Sequence, residues 1–447
     1  MKEPALPADT DPRAPLPADL LILGGTVIPM NRDMEVIADG AVAIIDGKIA
    51  ALGSRDQVAG ACTARQSIDA TGKLVMPGLI NTHTQTPMTI LRGYGDDMAL
   101  DEWLNKSIWP WEHEHVNPDT VRANSRLAII EMVRAGITTF ADMYFYGTAT
   151  APLVSEIGVR AVLGEAYAEG GPYPFDHTVQ ATAELVERYA DDPLLTVSVV
   201  AHSAYACTRE RLLKCAEMAA EYGAPLHTHL SETLDETETV LAQTGMRPVA
   251  YMDSLGILTP GTVAAHCIHI DSEEMGLLAE RGVSVSHTPQ SEMKLASGVA
   301  PIPEMLAVGL TVGLGTDGVA SNNVLDVFEE MKAAALLHKV TTGDPTALDA
   351  RTVCRMATID GARALGMGDE VGSLEPGKSA DVILVDLDSP HAVPCSNPFS
   401  HAAYVLGGSD VATVIIEGRT IMLDRQLLTV DEEAAIREIQ GLQGLLG

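Results

Sequence analysis

The chain has 447 residues, with 61 acidic and 29 basic side chains and a formal net charge of −32. That excess repels phosphate, so nucleic acid and anionic membrane surfaces are excluded as main partners. Hydrophobic residues make up 46%, enough for a large core, and the length fits one large domain with an addition or two to three small ones.

The chain opens with MKEPALPADTDPRAPLPADL, which carries five prolines and no apolar core segment. It is not a signal peptide, and residues 1–18 are expected to be disordered. No later run approaches the ~20 apolar residues of a membrane helix. Six cysteines (Cys62, Cys207, Cys215, Cys267, Cys354 and Cys395) form no CxxC pair. This excludes a disulfide scaffold and a cysteine-rich zinc module, and reads as reduced thiols in a cytoplasmic protein.

Residues 19–68 hold short β-type runs such as LLILGGTVIPM and GAVAIIDGKIAALG, split by turn residues. Residues 372–430 return to that style with SADVILVDLD and ATVIIEGRTIMLD. Both ends read as antiparallel sheet and are expected to join in one composite β-sandwich domain. Residues 69–371 alternate eight apolar runs with amphipathic helical stretches, from KLVMPGLINTH to LTVGLGTDG. Near-continuous apolar strands fit a parallel sheet covered by helices, and eight such units predict a (β/α)8 TIM barrel of the α/β class. A doubly wound sheet would need a Gly-rich phosphate loop, which is missing. Residues 431–447 read as a closing helix.

Polar residues gather at the C-terminal tips of these runs: His83, Asp142, Glu165, His202, His227 with His229, His266, His287 and Asp317. Barrel active sites lie at that face. His227 and His229, two apart on a strand, share a side; one can face a metal while the other supports it or packs. Asp317 in GLGTDG reads either as a metal carboxylate or as the cap of the helix that follows. Imidazoles with one carboxylate suit a single divalent metal, zinc first, with iron, manganese or nickel tolerated.

Six segments in order, PGLINTHTQTPMTILRGYGDD, AHSAYACT, PLHTHLSET, VAAHCIHID, SHTPQSEMKLASGVAP and GLGTDGVASNN, resemble the amidohydrolase superfamily. Within it they are most similar to the 5-methylthioadenosine/S-adenosylhomocysteine deaminases, relatives of the triazine hydrolases. The resemblance runs from Leu20 to Arg419. It implies a metal-dependent barrel with a terminal β-sandwich, release of ammonia from an adenine nucleoside, and a dimer or tetramer. By position it implies His83, Gln85, His229 and Asp317 as metal ligands. It also implies Glu232 as proton shuttle, with His266 and Asp317 completing the catalytic set, and Glu112 and His202 as ribose contacts.

The departures from that pattern carry equal weight. Gln85 stands where the family has a second histidine, and an amide is a weaker, neutral ligand. The site then binds metal more weakly, uses another ligand set, is disabled, or has lost a native histidine at this position. Thr288-Pro289 and Ser291-Glu292 replace the family's Asn-Pro and Ser-Asn. Glu165 stands at the third strand tip, where relatives that accept homocysteine can carry arginine. A carboxylate there repels a carboxylate, so the expected substrate is 5-methylthioadenosine, adenosine or another neutral adenine nucleoside, with Glu165 among the substrate contacts; alternatively Glu165 binds an amine. Two further readings stay open. The altered 287–293 stretch fits a hydrolase of another amino- or halo-substituted heterocycle, and Gln85 alone fits a metal-depleted binder.

Overall fold

The computed structural model describes residues 15–98 and 100–446. The expected disordered start lies outside the described residues as far as position 14, and from Leu16 the chain is already strand.

The strands near the two ends form one hydrogen-bonded sheet of nine. Lys73–Pro77 joins the halves by pairing antiparallel with Val382–Asp386, Leu74 opposite Val385. Ile22, Val42, Val75, Val382 and Ile415 share one buried cluster on this sheet. Two pairs depart from the antiparallel expectation. Leu16–Val27 pairs parallel with Lys73–Pro77, Val27 opposite Val75. It also runs parallel to Cys62–Asp69, with Leu16 opposite Cys62, because helix Arg55–Ala61 lies in the crossover between them. Parallel neighbours need such a crossover and cannot be joined by a hairpin.

The run KLVMPGLINTH, read as a single barrel strand, is two strands that meet at Gly78. Lys73–Pro77 stays with the terminal sheet, and only Leu79–Thr84 enters the barrel. A Cβ on Gly78 would stand 2.0 Å from Thr138 Oγ1, so the redirection between the two sheets requires glycine.

The barrel strands are β1 (Leu79–Thr84), β2 (Ile137–Asp142), β3 (Arg160–Leu163, continued by Ala166–Tyr167), β4 (Leu195–Val197, continued by Val199–Ala201), β5 (Leu226–Leu230), β6 (Thr262–His266), β7 (Ser284–His287) and β8 (Thr311–Leu314). Neighbours pair in parallel, and a parallel bridge between Thr84 and Asp317 closes the ring. All six residues of β1 and all five of β5 are buried, as expected for strands walled by helices outside and side-chain layers inside. Among the described residues no helix is long and apolar enough to cross a membrane.

The closing helix, Glu432–Leu442, is capped by Asp431, whose Oδ1 accepts from Ala434 N at 2.9 Å. It lies on helix Pro118–Arg134 through Arg126–Glu438 at 2.6 Å and Arg134–Glu432 at 2.9 Å. The turn after it reaches the barrel mouth, where Trp111 Nε1 donates to the Leu445 carbonyl at 2.9 Å.

Candidate active site

At the C-terminal ends of the strands, His83, His229, His266 and Asp317 converge, all nearly buried. The ring nitrogens of His83, His229 and His266 available to a metal lie within 4.8 Å of one another. Asp317 Oδ1 is 3.2 Å from His83 Nε2. The strands deliver these groups at a backbone cost. Ser231, His266 and Asp317 have φ of 52°, 74° and 60°, a left-handed region that non-glycine residues rarely enter and that concentrates at functional sites.

Each group is held from behind. His229 Nδ1 lies 3.0 Å from the His202 carbonyl oxygen. A carbonyl only accepts, so Nδ1 carries the hydrogen and Nε2 presents its lone pair to the cavity. His227, the other half of the pair, sits behind His83, its Nε2 3.0 Å from His83 Nδ1. The question the sequence left open resolves with His229 at the cavity and His227 in support. Asp317 accepts from Ser291 Oγ at 2.7 Å, Ser321 Oγ at 3.0 Å and Gly318 N at 2.8 Å. Burial favours the neutral acid, but His83 first, then His266 and His229, hold this carboxyl well below the usual range.

Glu232 lies at the turn after β5. The Glu236 carboxylate fixes that turn by accepting from Ser231 N at 3.1 Å and Glu232 N at 2.7 Å. Burial pushes the Glu232 carboxyl up to about 7, against the opposing pull of His266. Glu232 Oε2 stands 3.9 Å from His266 Nε2. Burial works against a charge on His266, but Glu232, Glu292 and Asp317 together raise it to about 9.

The cavity over these groups is walled by apolar side chains, among them Trp103, Ile108, Met143, Phe145 and Leu295, and Glu112, His202 and Gln85 line it too. No lysine or arginine is among its described lining residues. Glu112 sits on helix Trp109–His115, buried rather than on a solvated acidic face, and accepts from the Tyr144 hydroxyl at 2.5 Å. Burial lifts its carboxyl to about 7, the Tyr144 hydrogen bond opposing.

One residue read as a substrate contact is elsewhere. Glu165 is fully buried and does not line the cavity. Its oxygens accept from Tyr146 N at 2.9 Å and Thr148 N at 3.4 Å, at the start of helix Gly147–Ile157, and pair with His177 at 3.3 Å. An exposed helix N-terminus takes up a carboxylate readily. Asp142 is likewise structural, accepting from Thr86 N and Thr86 Oγ1, each at 2.8 Å. Sequence reasoning missed Tyr144, the Ser291–Ser321 clamp on Asp317 and Glu169 at the cavity rim. Only Glu169, two residues beyond the strand tip at Tyr167, carried a positional signal.

The donor set fits a divalent metal. His83 Nε2 is buried with no well-aligned hydrogen bond, only the Asp317 carboxylate beside it, an arrangement that is costly unless a ligand shared by the two takes its lone pair. Two further imidazoles and an ionised carboxylate face the same point, the set that suits zinc. Gln85 Nε2 lies 3.5 Å from His229 Nε2, so the amide borders the same space, and its carbonyl oxygen is the atom that would serve as a weak neutral ligand.

A barrel carrying this histidine–aspartate cluster at its strand tips, with a sheet built from both chain ends, defines a hydrolase of the amidohydrolase type whose histidines could hold a metal. The amidohydrolase family model matches residues 74–421, and the chain belongs to that family. It is 45% identical over 426 residues to a 5-methylthioadenosine/S-adenosylhomocysteine deaminase of Syntrophobacter fumaroxidans, covering 95% of this chain and 97% of the relative. It is 43% identical over 426 residues to a 5'-deoxyadenosine deaminase of Methanosarcina mazei, covering 95% and 97%. Among solved structures, an adenosine deaminase of Xanthomonas campestris with bound zinc superposes with a TM-score of 0.94 at 36% identity, covering 97% of this chain and 99% of that one.

Proposed function

We propose that the chain hydrolyses the C6 amino group of adenine nucleosides that carry no acidic group on the 5' substituent, releasing ammonia. The carrying observation is an apolar-walled cavity that ends on Glu232, His266 and Asp317, with Glu232 poised near neutrality. The relatives' names supply the substrate class, and the apolar walls suit a purine.

His83, His229 and Asp317 would hold the metal, with Gln85 at its edge. When bound, a divalent metal lowers the pKa of a water toward neutrality. Asp317, kept ionised by its histidines, takes a proton from the attacking water. Glu232, half protonated near pH 7, gives its proton to ring nitrogen N1, so that C6 becomes electrophilic. His266 faces the oxygen that develops charge. Asp317 passes its proton to the amino nitrogen, which leaves as ammonia, and the proton of the C6 hydroxyl returns to Glu232 as the carbonyl forms, so both carboxyls end as they began. Glu112 and His202 bind the ribose hydroxyls, and an ionised Glu112 can accept from both.

The charge of the cavity favours neutral 5' groups, through Glu169 on the lining rather than the buried Glu165. With Glu112, Glu169 and Glu232 on the lining and no lysine or arginine among its described residues, the carboxylate of S-adenosylhomocysteine meets repulsion with no guanidinium or ammonium to pair with. The test is ammonia release by the metal-loaded protein from adenosine, 5'-deoxyadenosine, 5-methylthioadenosine and S-adenosylhomocysteine. We expect turnover of the first three, with kcat/KM for the last at least about tenfold lower. Equal turnover of S-adenosylhomocysteine contradicts the charge argument, and no ammonia from any of the four contradicts the assignment.

A further inference from the structure

Behind His266 lies a buried polar chain that the mechanism above does not use. His266 Nδ1 is 3.0 Å from Thr288 Oγ1. Thr288 Oγ1 is 3.3 Å from Glu292 Oε1. Glu292, 1% exposed, also accepts from Thr288 N at 3.1 Å, and its Oε2 stands 3.2 Å from His287 Nδ1. His287 Nε2 meets His338 Nε2 at 3.2 Å. Thr288 and Glu292 are two of the positions where this sequence leaves the family pattern.

The direction of the hydrogen bonds follows from donor and acceptor chemistry. A buried carboxylate beside an imidazole N–H and a backbone N–H is an acceptor only. The Thr288 hydroxyl therefore spends its one hydrogen on Glu292. Its lone pair then faces His266 Nδ1, which must carry a hydrogen. The remaining nitrogen, Nε2, is turned to the cavity and to Glu232.

We propose that Thr288 and Glu292 are positioning residues that fix the ring orientation and the Nδ1–H form of His266, so that Nε2 is always the nitrogen offered to the reacting groups. The plainer alternative is that Glu292 merely caps the short helix Pro289–Lys294 through Thr288 N. A cap needs neither the threonine hydroxyl nor two flanking imidazoles, and the two ideas separate on the hydroxyl. The catalytic consequence rests on the deaminase reading; the tautomer does not.

The test compares Thr288→Val with Thr288→Ser in the zinc-loaded full chain. Both keep the backbone N–H that a cap would use, and only Ser keeps the hydroxyl. We expect Thr288→Val to lower kcat for adenosine about tenfold or more, with KM within about twofold of the parent, and Thr288→Ser to restore kcat. Nitrogen-15 spectra of labelled histidine, recorded above pH 9 where the His266 ring is neutral, should show it protonated at Nδ1 in the parent and the Ser variant, and as a mixture in Val. Should Thr288→Val fail to fold, Glu292→Gln carries the test, with the same loss of kcat and the same loss of a fixed tautomer expected. Unchanged kcat and tautomer in whichever of these folds, or equal loss in Val and Ser, overturns the proposal. If the parent releases no ammonia from adenosine, the deaminase reading fails while the spectra still decide the positioning claim.

Discussion

Glu232 and Glu112 share one cavity and one cause of perturbation, yet the account gives them opposite tasks. Glu232 must give a proton, so Glu232→Gln is expected to cut kcat by about 10²- to 10⁴-fold while the unfolding transition stays in place; a variant with more than a tenth of parental kcat would remove Glu232 from the mechanism. Glu112 must accept hydrogens from ribose. With its carboxyl at about 7, the accepting form falls to about a tenth at pH 6 and dominates at pH 8. KM for adenosine should therefore rise as pH drops below 7, and Glu112→Gln should raise KM at pH 8 and flatten that dependence. A parental KM independent of pH between 6 and 8 would contradict the role.

The strand-tip histidines and Asp317 were legible in sequence, because their position depends only on where apolar runs end. Glu165 shared that position and was misread. Which way a tip residue turns depends on the next element, and here the free amides of helix Gly147–Ile157 draw its carboxylate away. Glu292 was noticed as a departure, but no one-dimensional signal places it beside His266, since that contact spans two strands.

Among elements, the helical segment that carries Glu112 depends on the chain terminus. Trp111, its neighbour, spends its indole N–H on Leu445. Removing residues 443–447 should raise KM for adenosine several-fold with little change in kcat, measured with an otherwise intact chain; an unaltered KM would show that the segment is set by its own packing. The strand–helix alternation was readable because eight apolar runs are separated by amphipathic stretches. The division of KLVMPGLINTH at Gly78 was not, because both halves are apolar and the reason is the close approach of Thr138. The parallel pairing of Leu16–Val27 with Cys62–Asp69 was hidden for a similar reason: the short helix between them lies inside a stretch that reads as turns.

For the whole molecule, the barrel and the terminal sheet are joined by a buried ion pair. Arg160, at the base of β3, reaches Asp381 at 3.3 Å, and both side chains are at most 4% exposed. Asp381 also accepts from Glu417 N at 2.9 Å. Breaking such a pair from one side leaves a buried charge without its partner and costs about 3–5 kcal/mol. Asp381→Asn should lower stability by that order in denaturant titration, and a loss under about 1 kcal/mol would show that this ion pair is not what holds the two units together. That both chain ends meet in one sheet was readable from the recurrence of the same β style. How they lock to the barrel was not, because Arg160 reads as an ordinary strand-start cation.

The central claim is that this cluster, with Gln85 in place of an imidazole, still holds a working metal. The direct measurement is metal content per chain after purification without chelator, taken with ammonia release from 5-methylthioadenosine before chelation, after it and after zinc is restored. The account predicts about one divalent metal per chain, with turnover that disappears on chelation and returns with zinc. A chain that carries zinc and releases no ammonia, or one that releases ammonia undiminished after its metal is gone, would contradict it.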